Sequence, residues 1–297
     1  MNILVFGAGG QLGSELMGRA HSKDVSFHFV RRADAYIDDP SAVRRAVQLA
    51  RPQLVLNAAA YTNVDQAEIE REVAFRGNAQ GPKVLAAACA EKSIPLIHIS
   101  TDYVFDGRKP SAYVESDAVA PINVYGESKL AGEVAVREAF DRHVILRTSW
   151  LFGIYGRNFL KTMLRLAVER DELRVVADQR GCPTSTADLA EAIIAIAPRL
   201  IAGDQVWGTY HVASPRPTTW HGFATEIVAA QAQFTGRRPA VLAVKTQDCP
   251  TKAARPQNSE LDSSKFFSTF GFRARDWRER THEAIAVLSG QSKAGIS

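Results

Sequence analysis

Five short apolar runs punctuate the first half of the chain, at residues 2–7 (NILVFG), 25–30 (VSFHFV), 53–59 (QLVLNAA), 94–100 (IPLIHIS) and 143–149 (HVILRTS). Each is continuous rather than alternating, the pattern of strands covered on both faces of a parallel sheet. Helical patterns separate them, at residues 11–20 (QLGSELMGRA), 40–50 (PSAVRRAVQLA), 72–91 (EVAFRGNAQGPKVLAAACAE) and 126–139 (GESKLAGEVAVREA). Strands and helices in this alternation predict βαβ units, hence an α/β fold with a Rossmann-type doubly wound parallel sheet. Asp39 followed by Pro40 reads as an N-cap with proline at the first helical position.

After Trp150 the pattern becomes mixed. Helices are expected near 158–170, 186–201 and 219–233, a long loop over 248–262 (DCPTKAARPQNSELD), and a last amphipathic helix near 276–289. The expected organisation is a dinucleotide-binding region over 1–150 and a smaller, interrupted substrate-binding region over 151–297, with some segments returning to the sheet.

Composition narrows the class of function. The chain has 297 residues, 46% hydrophobic and 23% charged, with net charge +4, enough apolar material for a large core. Its basic residues cluster only in pairs (Arg31-Arg32, Arg44-Arg45, Arg237-Arg238), not in the stripe a nucleic-acid footprint requires. An anionic small molecule remains possible. Three cysteines, Cys89, Cys182 and Cys249, are odd in number and lack metal-ligand spacing, so a reducing cytoplasm is expected rather than a disulfide scaffold. The N-terminal apolar run lacks a charged region before it and reads as a strand, not a signal peptide. No stretch approaches the roughly 18 apolar residues of a membrane span.

Candidate chemistry begins at Gly7, Gly10 and Gly13, which follow the first strand and open the first helix. Glycines there let the backbone turn tightly and approach a pyrophosphate at the helix N-terminus, although a glycine turn without a ligand has the same spacing. The second strand ends in Arg31 and Arg32, where many dinucleotide sites carry an acid; arginine suits the 2′-phosphate of NADPH, and NADH remains an alternative. Alanines at 58–60 would let a cofactor lie close to the backbone, whereas Asp65 and Glu68 read as helix-start or surface residues. Ser100, Thr101, Asp102 and Tyr103 emerge at the carboxyl end of the fourth strand, where ligands bind in open α/β sheets. Tyr125 and Lys129 stand four apart, on one helical face. A tyrosine of pKa near 10 is a poor acid–base group at neutral pH unless shifted, and a neighbouring ammonium is expected to lower it.

These motifs, with RTSWLFG (147–153), DQRGCPTSTADLA (178–190), TTWHGFA (218–224) and ARPQNSELD (254–262), resemble the extended short-chain dehydrogenase/reductase superfamily, and within it the dTDP-4-dehydrorhamnose reductase family, nearly end to end. The resemblance implies an oxidoreductase in which NADPH gives a hydride to C4 of dTDP-4-dehydro-L-rhamnose while Tyr125 protonates the oxygen. Lys129 would lower the tyrosine pKa and bind the nicotinamide ribose, and Thr101 would orient the carbonyl. Asp102, Tyr103 and Trp150 would line the sugar pocket, Tyr103 tuning its acidity. Gly10, Gln11 and Leu12 would meet the pyrophosphate, and Ala60, Tyr61 and Thr62 the cofactor further along. Arg255 would face the nucleotide diphosphate. The acid usual after the second strand is not evident. Some relatives dimerise and use Mg2+; Glu15 lies on the first helix, but nothing near it in sequence completes a metal site. The histidines (His21, His28, His98, His143, His211, His221, His282) show no ligand spacing, so no protein-held metal is expected. Competing readings are a nucleotide-sugar epimerase or dehydratase, and a non-catalytic cofactor-binding subunit. Tyr103 after Asp102 argues against the dehydratase, and an intact Thr101, Tyr125 and Lys129 against the subunit.

Overall fold

A computed structural model describes residues 1–19 and 25–290; His21 lies outside the described residues. The first half runs β1 (Asn2–Phe6), α1 (Gln11–Gly18), β2 (Ser26–Val30), α2 (Pro40–Ala50), β3 (Leu54–Asn57), α3 (Val64–Ala67), α4 (Arg71–Phe75), a π-helical segment (Arg76–Gln80), α5 (Gly81–Glu91), β4 (Leu96–Thr101), α6 (Val124–Ala139) and β5 (His143–Thr148). The second half holds β6 (Leu151–Phe152), α7 (Phe159–Glu169), β7 (Glu172–Val176), β8 (Arg180–Gly181), β9 (Thr184–Ser185), α8 (Thr186–Ala202) and β10 (Gly208–His211). It closes with β11 (Thr218–Thr219), α9 (Trp220–Thr235), β12 (Ala240–Val244), α10 (Ser264–Phe270) and α11 (Trp277–Leu288).

The main sheet has six parallel strands in the order β10-β5-β4-β3-β1-β2. Because side chains alternate across a strand, Ile3, Val5, Leu54, Leu56, Val144 and Leu146 pack on one face with Leu12 and Leu16 of α1 and the apolar side of α8. Leu4, Phe6, Val55, Leu96 and Ile145 pack on the other, against α2, α5 and Val136 of α6. Asp39 caps α2 as the sequence predicts, accepting from the backbone N–H of Ser41 (2.8 Å) and Ala42 (3.1 Å).

Three local readings need correction. β2 is an edge strand and only partly buried, although its sequence is as continuous as the others. The 72–91 helix is interrupted by the π segment, which turns the buried Asn78 inward. The 248–262 segment is not a free loop: Tyr113 pairs with Leu261 and Arg180 with Asn258 in isolated bridges that strap it to the body.

After β5 the chain builds a second core from Phe152, Leu160, Leu173, Phe223, Ile227, Trp277 and Ile285, with β7 paired to β12 beside it. In the same half, α8 and β10 return to the main sheet. No helix among the described residues is long and apolar enough to cross a membrane.

Candidate active site

The strand order reverses between β1 and β3, and a cleft of about 840 Å³ opens above their carboxyl ends, where open α/β sheets bind ligands. At its floor Gly7 turns with φ +90°, and a Cβ there would lie 2.5 Å from the Ala58 carbonyl carbon. A Cβ on Gly13 would lie 2.4 Å from the Gly7 carbonyl oxygen, so α1 can approach β1 only through glycine. Gly10, Gln11 and Leu12 then face the cleft at the start of α1. Gly7→Ala is expected to lower stability by about 2 kcal/mol or more, since a non-glycine residue is strained at this φ and its Cβ meets backbone. Thermal unfolding and NADPH titration check it; unchanged values in both would show the turn to be unstrained.

Arg31 and Arg32 are exposed on the cleft wall at the end of β2, with the Arg32 guanidinium 5.7 Å from the centre of the Tyr36 ring. Asp38, which the sequence did not single out, also lines the cleft, and Arg76 grips it at 2.9 and 2.7 Å. Ala58, Ala59, Ala60, Tyr61 and Thr62 form a further part of its wall. Asn78 holds this wall to α6: it accepts from Tyr61 N–H (2.8 Å) and donates to the Tyr61 carbonyl (2.9 Å) and Ser128 Oγ (2.9 Å).

Thr101, Tyr125 and Lys129 meet at the sheet's carboxyl edge and all line the cleft. Thr101 accepts from Tyr103 N–H (3.2 Å) and donates to Asp102 Oδ1 (2.9 Å), while Ser149 donates to Asp102 Oδ2 (3.2 Å). Burial pushes the Asp102 carboxyl up to about 6, against its hydrogen bonds with Ser259, Thr101 and Ser149. Lys129 is buried and its ammonium donates to the Ile99 carbonyl (2.7 Å). Burial takes its pKa down to about 8, with Glu133 opposing.

The expected depression of the Tyr125 pKa is not found. Burial pushes the phenol up to about 12, against the hydrogen bond with Thr101, and the Asp102 charge adds a smaller push in the same upward direction. The lysine is turned to the Ile99 carbonyl, and the buried phenol keeps its proton, as a donor must.

Trp150 lines the cleft at a left-handed φ of +48° and stacks face to face on Trp220, with centroids 3.5 Å apart and planes at 6°. Tyr103 and Arg255 do not line the cleft in this conformation. The Tyr103 ring stands edge-on to Tyr125 at 5.8 Å, and burial together with Asp102 raises its pKa. Arg255 pairs with Asp65 at 2.8 Å. Glu68, read as a helix-start residue, accepts from Val124 N–H (2.9 Å) at the start of α6.

The Mg2+ admitted by the resemblance finds no support. Glu15 accepts from Thr186 (2.9 Å) and pairs with Arg19 (2.9 Å), and among the described residues no group of three or more His, Cys, Asp or Glu could hold a metal ion. His98, bonded to Asn57, and His211, bonded to the Tyr113 carbonyl, are buried in the core. The three cysteines are free thiols.

With this geometry in view, the family model described as the RmlD substrate binding domain matches residues 1–289. A dTDP-4-dehydrorhamnose reductase of Sinorhizobium fredii is 41% identical over 295 residues, covering 99% of both chains. The chain belongs to the dTDP-4-dehydrorhamnose reductase family. Solved members agree in fold. The reductase of Clostridium acetobutylicum superposes with a TM-score of 0.90 at 38% identity, covering 97% of this chain and 99% of its own. That of Bacillus anthracis, solved in complex with NADP, gives 0.88 at 39%, covering 96% and 98%.

Proposed function

We propose that this protein reduces the C4 ketone of dTDP-4-dehydro-L-rhamnose to dTDP-L-rhamnose with NADPH. The observation that carries the reading is the convergence of Thr101, Tyr125 and Lys129 on the wall of a cleft that starts at the glycine turn. NADPH, when bound, supplies the hydride. The cleft suits it: glycines leave room at the floor, and the N-terminus of α1 offers backbone N–H groups and positive potential to a pyrophosphate at Gly10, Gln11 and Leu12. Arg31 and Arg32 would take the 2′-phosphate, Ala60, Tyr61 and Thr62 the middle of the cofactor, and Lys129 its ribose hydroxyls. The NADP complex of the Bacillus anthracis relative supports this choice.

Thr101, its hydroxyl turning from Asp102 to the substrate, donates to the sugar carbonyl, and Tyr125, protonated at neutral pH, gives its proton to the oxygen as charge develops there. Lys129 stabilises the phenolate left behind. Trp150 and Asp102 line the sugar site, and Arg255 meets the diphosphate. Residues after 150 supply most of the substrate side, and the free thiols suit the cytoplasm.

The test is NADPH oxidation on adding dTDP-4-dehydro-L-rhamnose, generated from dTDP-glucose by the two preceding enzymatic steps. Turnover is expected. Binding of NADPH without oxidation of it or of NADH would overturn the proposal and favour a non-catalytic subunit. Replacing Arg31 and Arg32 by Ala should weaken NADPH roughly tenfold or more, as loss of charge-assisted hydrogen bonds does, and leave NADH almost unaffected. Equal weakening of both cofactors would remove these arginines from the 2′-phosphate.

A further inference from the structure

We infer that Asp65 and Asn123 are positioning residues for the substrate: together they latch the segment carrying Arg255 onto α3 and onto the start of the helix carrying Tyr125. The inference rests on the reading of Arg255 as the contact to the nucleotide diphosphate.

Three hydrogen bonds make the latch. Asp65 Oδ1 accepts from Ala253 N–H (3.0 Å) and its Oδ2 accepts from Arg255 Nη2 (2.8 Å). Asn123 Nδ2 donates to the Ala254 carbonyl (2.8 Å). Arg255 Nη1 also donates to the Ala253 carbonyl (3.1 Å), which folds the guanidinium back on its own segment. These residues are far apart in sequence, yet both carboxylate oxygens of Asp65 and the amide nitrogen of Asn123 are directed to one short stretch, 253–255.

Asn123 shows why this is more than local tidiness. It is the N-cap of α6, its Oδ1 accepting from Gly126 N–H at 2.8 Å, and it is only 4% exposed. Aspartate would cap the helix equally well, but it has no N–H. Asparagine caps with its oxygen and reaches the 254 carbonyl with its nitrogen, so one amide joins the strap to the helix two residues before Tyr125. Asp65 stands in the first turn of α3 and is half-exposed, with Arg255 more covered. An ion pair so placed adds little stability; what it fixes is direction. Two of the five N–H donors of the Arg255 guanidinium are used in these bonds, and the rest remain for an anion.

The chemistry of the substrate requires such a device. In a nucleotide diphosphate sugar the distance from diphosphate to C4 is set by covalent bonds. Arg255 and Tyr125 must therefore be held at a matching separation, although the chain between them runs through 130 residues and the whole second core. The latch ties the Arg255 segment directly to the residue that caps the Tyr125 helix.

The experiment measures KM for dTDP-4-dehydro-L-rhamnose, kcat, NADPH affinity and thermal unfolding for wild type, Arg255→Ala, Asn123→Asp and Asp65→Asn. Arg255→Ala is the benchmark for loss of the diphosphate contact. Asn123→Asp keeps the cap and removes the tie; Asp65→Asn removes the charge partner without touching the α6 cap, and carries the test should the Asn123 variant lose stability. Each is expected to raise KM by roughly tenfold, the loss of one oriented charged contact, with kcat within about threefold and NADPH affinity unchanged, the signature of lost uniform binding. A wild type that turns over and an Arg255 variant with raised KM, but Asn123 and Asp65 variants with wild-type KM, would overturn the latch alone. An unfolding temperature that falls with KM unchanged would overturn it too, leaving a structural role. An inactive wild type, or an Arg255 variant with unchanged KM, would overturn the parent reading and the latch with it.

Discussion

Tyr125→Phe is expected to lower kcat by about 10²- to 10⁴-fold, the usual contribution of a positioned general acid, while NADPH binds as before. The phenylalanine keeps the ring and its edge-on contact with Tyr103 and loses only the hydroxyl, so the fold should be untouched. The pH profile sharpens the expectation. Burial holds the Tyr125 proton up to about 12, so the phenol itself is in the right form across the neutral range. Lys129 titrates first, at about 8. Its cation predominates below that value and is lost above it, and with it the charge that stabilises the phenolate. The wild-type rate should therefore hold on the acid side of pH 8 and fall through it, and Lys129→Met should remove that limb along with most of the activity. Stopped-flow NADPH oxidation over pH 6–10 reads both. A Phe variant with near-wild-type kcat would dismiss Tyr125 as the donor, and a flat profile through pH 8 would dismiss the role of the lysine charge.

The central sheet was legible because its signals are local: continuous apolar runs, glycines after β1, a proline behind Asp39. The Thr101, Tyr125, Lys129 group was legible for the same reason, since each residue follows a strand or shares a helical turn with the next. What was hidden depends on partners distant in sequence. Asp38 is one acid among several until Arg76 reaches it. Asn78 looks like any polar helix residue until the π segment turns it onto Tyr61 and Ser128. The edge position of β2 and the return of β10 beside β5 are matters of strand order, which hydropathy does not carry. Residues 253–262 read as a loop because their hydrogen bonds go to single residues scattered along the chain, Asp65, Asn123, Arg180 and Tyr113, and not to one continuous strand. The Lys129 side chain was placed on the correct face, but its hydrogen bond to the Ile99 carbonyl needed the β4 backbone beside α6, and the raised Tyr125 pKa comes from burial that only the packed structure supplies.

Glu133→Gln should be the most damaging substitution outside the cleft, destabilising the protein by about 3–5 kcal/mol, the cost of leaving a buried charge without its partner. Glu133 is 0% exposed, one turn beyond Lys129 on α6. Arg147 grips it at 2.8 and 2.7 Å, Arg137 at 2.6 Å, and Ser100 donates to it at 2.6 Å. Burial pushes its carboxyl pKa upward, but the hydrogen bonds and charges of Arg147, Ser100 and Arg137 outweigh this and hold it below the ordinary glutamate value. A lowered folded pKa means that its stabilisation is complete above the ordinary glutamate range and is lost as pH falls through the depressed value, so the network should contribute to acid unfolding. Thermal unfolding should show a drop on the order of 10 °C for Glu133→Gln at pH 7. Replacing Glu133 by Leu and Arg147 by Met together should recover much of it, because no buried charge is then unpaired and Arg137 is exposed enough to be solvated. Activity should not recover in step. Glu133 opposes the effect of burial on Lys129, so both variants should move the alkaline limb of the rate profile below pH 8. Recovery of stability with the limb still displaced would separate the two effects of one carboxylate, one on the fold and one on the charge of the catalytic lysine. A limb that stays at pH 8 in both variants would confine Glu133 to the fold.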